Sequence, residues 1–240
     1  MTTARDLVLV TLGMPADQLV GQGDLSLALA GAEAIDLLHS GALRLDGDRI
    51  VPGPRMASGD PLLDQADAAL VRREPYETVE EWLWRRAEDL VPAYAEALEL
   101  AGLVAHPHGH GLRLVSGRAE LADSPARREA EQRRASGEPV LAGLLVASGL
   151  VEPQLTDAPG DDVSGTEEAP SPVEPRLIDG RDDEGSGAEE ALPSDPDDGR
   201  LDDAVTTVLI AVGDAVVQLE ALRLRRDVEN AAFDNVWRGW

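Results

Sequence analysis

The segment from Glu152 to Asp203 limits what this chain can fold into more than any other feature. It holds 18 Asp and Glu against three Arg, a net charge of −15, and seven Pro and six Gly punctuate it. Its larger aliphatic residues are few: Leu155, Val163, Val173, Leu177, Ile178, Leu192 and Leu201. Such a stretch cannot bury enough apolar surface to offset the entropy of ordering it, so it reads as a disordered acidic linker. The 240 residues are thereby divided. The expected organisation is a domain over 1–151, a linker over 152–203, and a C-terminal amphipathic helix over 204–240 that docks on the domain.

Outside the linker the balance is 18 cations against 28 anions, a net of −10. Every one of the 21 cations is Arg, and there is no Lys and no Cys. Without Lys there is no Walker P-loop, no kinase strand Lys and no Schiff-base nucleophile. Without Cys there are no disulfides, thiol nucleophiles or Cys-ligated metals. A total charge of −25 argues against nucleic acid, because phosphate repulsion has no concentrated basic face to offset it. The apolar run Leu7–Leu12 is too short for an export signal. Ala204–Gly213, interrupted by Asp214, falls short of the ~20 residues a spanning helix needs. The expectation is a cytoplasmic chain with no transmembrane segment.

The pattern before the linker is mostly helical. Thr3–Leu12 reads as a first helix and Asp24–Ser40 as a second, with Asp24 as its N-cap. Ala42–Leu45 and Arg49–Val51 flank Asp46-Gly47, a strong hairpin signal. Asp60–Val71 and Thr78–Ala101 read as helices, the latter kinked or divided near Pro92 and stopped by Gly102. Gly102–Ala105 and Gly111–Val115 flank His106-Pro107-His108-Gly109-His110, a second hairpin. Ser124–Arg134 and Pro139–Gly149 are helices again. In Leu201–Arg226, apolar residues Val205, Val208, Leu209, Val212, Val216, Leu219 and Leu222 recur at 3–4 spacing, one face of a long amphipathic helix.

The chemistry-bearing clusters are few. Three His over residues 106–110 suit zinc by residue type, but Pro107 and Gly109 make the segment a turn, so a solvated loop is the expectation and no metal or cofactor is assigned. His39 ends a helix, where its expected interaction is with the helix dipole. No Ser lies in a nucleophile elbow and no Gly-rich loop follows a strand, so the chain is expected to be no enzyme. In Trp82-Leu83-Trp84-Arg85-Arg86, residues two apart face different ways on a helix. One Trp is therefore expected in the core and the other partly exposed. Two Arg beside an exposed Trp can hold an anionic head group, so Trp84, Arg85 and Arg86 are the candidate ligand-binding residues. The competing reading pairs both Arg with Glu80, Glu81 or Asp89.

Several phrases resemble the Golgi phosphoprotein 3 family over roughly residues 3–151. Asp24–Leu38 (DLSLALAGAEAIDLL) followed by Ser40–Leu45 (SGALRL) is similar to its "DLxLALAGAxLxELxLxGRLxL" stretch. Ala57–Ala66 (ASGDPLLDQA) resembles "PTGDPxLDEAL", and Glu77–Trp82 (ETVEEW) resembles "ETVxxWI". Thr78 there is a natural N-cap, with Glu81 completing a capping box. Ala97–Val104 is similar to "LVExGVL", and Pro139–Leu150 to "xxLLALxxAxGL". The resemblance implies a mostly helical single domain with a projecting hairpin, in a bacterial member of the family. It also implies the family activity, peripheral binding of phosphatidylinositol 4-phosphate; the eukaryotic members retain glycosyltransferases on Golgi membranes. At the positions of the family's head-group Trp and three basic residues this chain has Gly21, Ala30, Glu88 and Val91. That ligand set is therefore not carried over, and Arg85, one turn before Glu88, is the nearest substitute.

The combined expectation is a mostly α protein: one helical domain with two β-hairpins, a disordered acidic linker and a long C-terminal helix. Its function is that of a lipid-head-group-binding or adaptor-type protein. The alternatives are a protein-interaction scaffold presenting its tethered C-terminal helix, and an enzyme with no assignable residues. The partner is then an anionic lipid head group or a protein, and the location is cytoplasmic, with a peripheral position on the membrane as the alternative.

Overall fold

A computed structural model describes residues 2–15, 21–55, 57–105, 120–121, 123–151 and 196–237. Helix α2 (Gln22–His39) is the axis of the molecule. Almost every residue from Asp24 to Leu38 is buried, as expected of a helix apolar on all sides. Around it pack α1 (Thr3–Gly13), α3 (Pro61–Ala69), α4 (Val79–Arg86), α5 (Leu90–Leu100), α7 (Pro139–Ala147) and α8 (Pro196–Trp237), with α6 (Pro125–Ala135) laid on α1 and α7. Small residues on α2 permit this crowding. A Cβ on Gly31 would overlap the Val212 side chain, and Val208 and Leu144 lie at contact distance around it.

Local chemistry accounts for the boundaries. Asp60 caps α3, its carboxylate accepting from the Leu62 and Leu63 amides. Thr78 and Glu81 form the capping box of α4, with both reciprocal bonds present. The helical stretch 78–101 is divided, but at Asp89 (φ 57°) rather than at Pro92. Pro92 falls in the first turn of α5, where no intrahelical amide bond is owed, so it is tolerated there. Gly102 (φ 68°) ends α5 in the left-handed region, and the Leu103 amide reaches back to the Leu98 carbonyl at 2.9 Å. Asp24 is not the N-cap of α2. That place is Gly21, and the Asp24 carboxylate is engaged by Arg223 instead, at 2.8 and 3.0 Å.

Strands β1 (Leu43–Asp46) and β2 (Arg49–Pro52) pair antiparallel with Asp46 opposite Arg49, so the two-residue loop is Gly47-Asp48. Strands β3 (Val104–Ala105) and β4 (Glu120–Leu121) form the second ladder. The partner expected at 111–115 lies outside the described residues, as do the His106–His110 cluster and residues 152–195 of the expected linker.

The C-terminal helix starts earlier than expected, at Pro196, and runs 42 residues. A proline with its φ preset for a helix suits the first helical position. Val205, Val208, Val212 and Ala215 are buried against the body, and Leu209, Val216 and Leu219 partly so. Leu222, expected on the same face, is 48 % exposed, because the body ends before α8 does. Asp214 does not interrupt the apolar character: an 18-residue window within Asp202–Ala231 averages a hydropathy of 1.7, enough by length and composition to cross a membrane. Here one face of that helix lies along α2, α4 and α7.

Candidate functional site

Helix α4 carries the predicted residues, and its capping box fixes where they point. Trp82 is fully buried and its indole Nε1 donates to the Ala30 carbonyl at 3.1 Å. Trp84 is half-buried against the edge of the core. One Trp inside and one at the surface is the division that two-residue spacing on a helix requires.

Both arginines are engaged by carboxylates, though not by the neighbours expected. Arg86 grips Glu33 of α2 with two parallel bonds, Nε to Oε2 at 2.7 Å and Nη2 to Oε1 at 3.0 Å. Glu33 is wholly buried, and the Tyr94 hydroxyl donates to it at 3.2 Å. Burial lifts the Glu33 carboxyl above its ordinary value despite Arg86 and Tyr94. Burial, and then the Glu33 charge, push the Tyr94 hydroxyl well above its own. Arg85 donates to Glu77 from Nε at 3.1 Å and from Nη2 at 2.8 Å, and to the Ala69 carbonyl at 3.2 Å. Its guanidinium lies 5.3 Å from the Trp82 ring centroid, within cation–π reach. Glu81 is taken by the capping box, and Glu80 accepts from Gln218 of α8 at 3.1 Å.

The four positions where the resemblance places a head-group pocket do not form an open basic surface. Ala30 is fully buried and Val91 is 3 % exposed. Glu88 is exposed. A side chain at Gly21 would meet Asp24 and the Arg223 guanidinium, so α8 covers that end of α2.

A second concavity, of about 850 Å³, opens between α1, the end of α2, the Ser58–Asp60 turn and α6. Three of its four acids, Asp6, Asp36 and Asp60, are spent on the protein itself, and the fourth, Glu129, is exposed. Asp36 accepts the Thr3 and Ala4 amides at 3.0 and 3.2 Å, capping α1 from α2. Asp60 caps α3 and accepts the Thr2 hydroxyl at 3.3 Å. Asp6 is paired with Arg133 of α6 through Oδ2, leaving its buried Oδ1 without a partner. Burial raises Asp6 and Asp36 above the usual carboxylate range. His39 closes α2 at the rim of this hollow. Among the described residues no three His, Asp or Glu gather as a metal site would need.

Sequence reasoning missed Glu33, Glu77 and Tyr94. A signal for the first was present: Glu33 stands between Ala32 and Ala34 on a helix apolar all round, where a carboxylate must find a cation. A family model described as Golgi phosphoprotein 3 (GPP34) matches residues 4–171. No curated protein matches the chain.

Proposed function

We propose, from the premise that this chain belongs to the Golgi phosphoprotein 3 (GPP34) family, that it is a non-enzymatic adaptor: a helical scaffold that holds protein partners, cytoplasmic, and without the phosphoinositide site of the family pattern. The observation that carries this reading is the pairing of Arg86 with buried Glu33 and of Arg85 with Glu77. At Arg86 a head-group phosphate would have to displace a carboxylate already held by two parallel bonds, and removing one partner of a buried pair costs about 3–5 kcal/mol. Glu88, exposed one turn further on, adds repulsion. The scaffold needs no cofactor.

A second reading has Trp84, Arg85 and Arg86 hold an anionic lipid head group, with the protein peripheral on a membrane. It is favoured by one observation, the 44 % exposure of the Arg85 side chain beside half-exposed Trp84. Vesicle flotation separates the two. Vesicles carrying phosphatidylinositol 4-phosphate are compared with phosphatidylserine vesicles of matched charge. The adaptor reading expects no saturable preference. Saturable, salt-sensitive binding abolished by Arg85→Ala would replace it with the second.

A further inference from the structure

Most of the large apolar side chains that the described residues leave exposed belong to one element. Ile210 (60 %), Val217 (68 %), Leu224 (57 %) and Val228 (69 %) all lie on α8. They follow a rule. From Val217 the sequence steps to Ala221, Leu224 and Val228, spacings of four, three and four, and Ile210 extends the row one heptad earlier. This is the 3.5-residue repeat of a seam between two helices. Where the body lies beneath α8, at Ile210 and Val217, the row faces directly away from it, and Leu224 and Val228 continue the row past the body's end. At roughly 100° per residue, Val217 is about 180° round the helix from Val208, which is fully buried in the docked face. One helix thus has two apolar faces, and only one is covered.

We infer that the outward stripe of α8 pairs with the same stripe of a second copy of this chain, in parallel. Charge decides both partner and direction. Glu220 and Arg225 flank the stripe on opposite sides, each in an exposed ion pair along its own helix, with Arg223 and Glu229, that a facing partner can exchange at little cost. In a parallel pair the residue just before Ala221 of one helix faces the residue five further on in the other. Glu220 of each copy then meets Arg225 of its partner, twice over. An antiparallel pair would instead bring Glu220 towards Asp227, acid against acid. Asp214 falls on the seam and limits it, so the continuous contact runs from Val217 to Val228. A lipid surface fits less well. Residues 196–237 carry nine Asp and Glu against four Arg, whereas a helix lying on a membrane needs a basic polar face. Because α8 is one continuous helix already formed, packed on the body up to Leu219, pairing costs little for ordering it.

The inference does not depend on what the scaffold binds elsewhere, and its test is the mass of the full chain in solution. Sedimentation equilibrium over a series reaching about 100 µM, the range suited to a small interface, should give a mass rising from 25.5 kDa towards twice that value. Leu224→Glu should hold it at the monomer mass with unchanged helical circular dichroism and melting. Glu220→Arg and Arg225→Glu should each weaken the dimer about threefold, the size of an exposed ion pair, and the double exchange should restore it. A chain monomeric throughout the series overturns the proposal, and so does a Leu224→Glu variant that still dimerises. Single charge variants without effect, or a double exchange without rescue, overturn the parallel arrangement. A monomer that floats with neutral phosphatidylcholine vesicles, and loses this with Leu224→Glu, assigns the stripe to a membrane and overturns it too.

Discussion

Glu33 shows how one buried charge organises its neighbourhood. It has no access to solvent, and Arg86 and Tyr94 reach it from two other helices. Arg86→Gln leaves Glu33, which has no exposure, without its counter-charge. The expected loss is about 3 kcal/mol in urea unfolding, the size measured when one partner of a buried pair is removed. Adding Glu33→Gln, which removes the stranded charge, should recover part of that loss, because the two residues act on one interaction. The same residue predicts a pH dependence. Asp6, Glu33 and Asp36 have folded values raised by burial above the ordinary 3.8 for Asp and 4.5 for Glu. Between the ordinary and the raised values the folded state holds more protons than the unfolded one. This source of stability is therefore complete below the ordinary values and is lost as pH rises through the raised ones. The urea midpoint should fall as pH climbs through that window, and less steeply in Glu33→Gln. Parallel profiles for the two proteins would sink the assignment.

At the scale of elements, packing is set by what α2 omits. A Cβ on Gly31 would overlap Cγ2 of Val212, and a β-branched side chain has little freedom to step aside. Gly31→Ala should therefore cost about 1–3 kcal/mol of overpacking, and Val212→Ala on that background should recover most of it in thermal melts. If the second change only adds to the first, α8 is not seated as described. What could be read in advance follows the same division between local and distant causes. The Thr78–Glu81 capping box, the Gly102 stop and the hairpin around Gly47 rest on chemistry within a few residues, and each was legible. The location of Asp24 was not, because its partner, Arg223, is 199 residues away. The site divides likewise. Spacing alone separates Trp82 from Trp84, but the carboxylate that holds Arg86 is 53 residues distant and only folding brings it there. The end of the α8 docked face was illegible for a related reason: periodicity continues through Leu222, whereas the body beneath it stops.

For the whole molecule the decisive fact is that its last helix is part of its core although an acidic segment separates the two in sequence. The family match stops at residue 171, before α8 begins, yet α8 covers α2, the central helix. Val208, Val212 and Ala215 have no exposure at all. Polar contacts hold the same interface, since Arg223 engages Asp24 at the start of α2 and Gln218 donates to Glu80 of α4. Burying three or four such side chains is worth roughly 1.5–3 kcal/mol each for the Val, and less for Ala. That sum is of the order of a small domain's whole stability, so the body without α8 should be marginal. The covalent connection between them should therefore be dispensable once folding is complete. A site-specific protease sequence placed near residue 175 of the full chain tests this. After cutting, the two pieces should elute together in native gel filtration and separate only in denaturant. Val212→Asp, which places a charge in the docked face, should let them part without denaturant. A cut wild-type chain that releases its C-terminal piece under native conditions would show α8 to be an appendage on a self-sufficient body, and the burial described for Val208 and Val212 would then carry no stability.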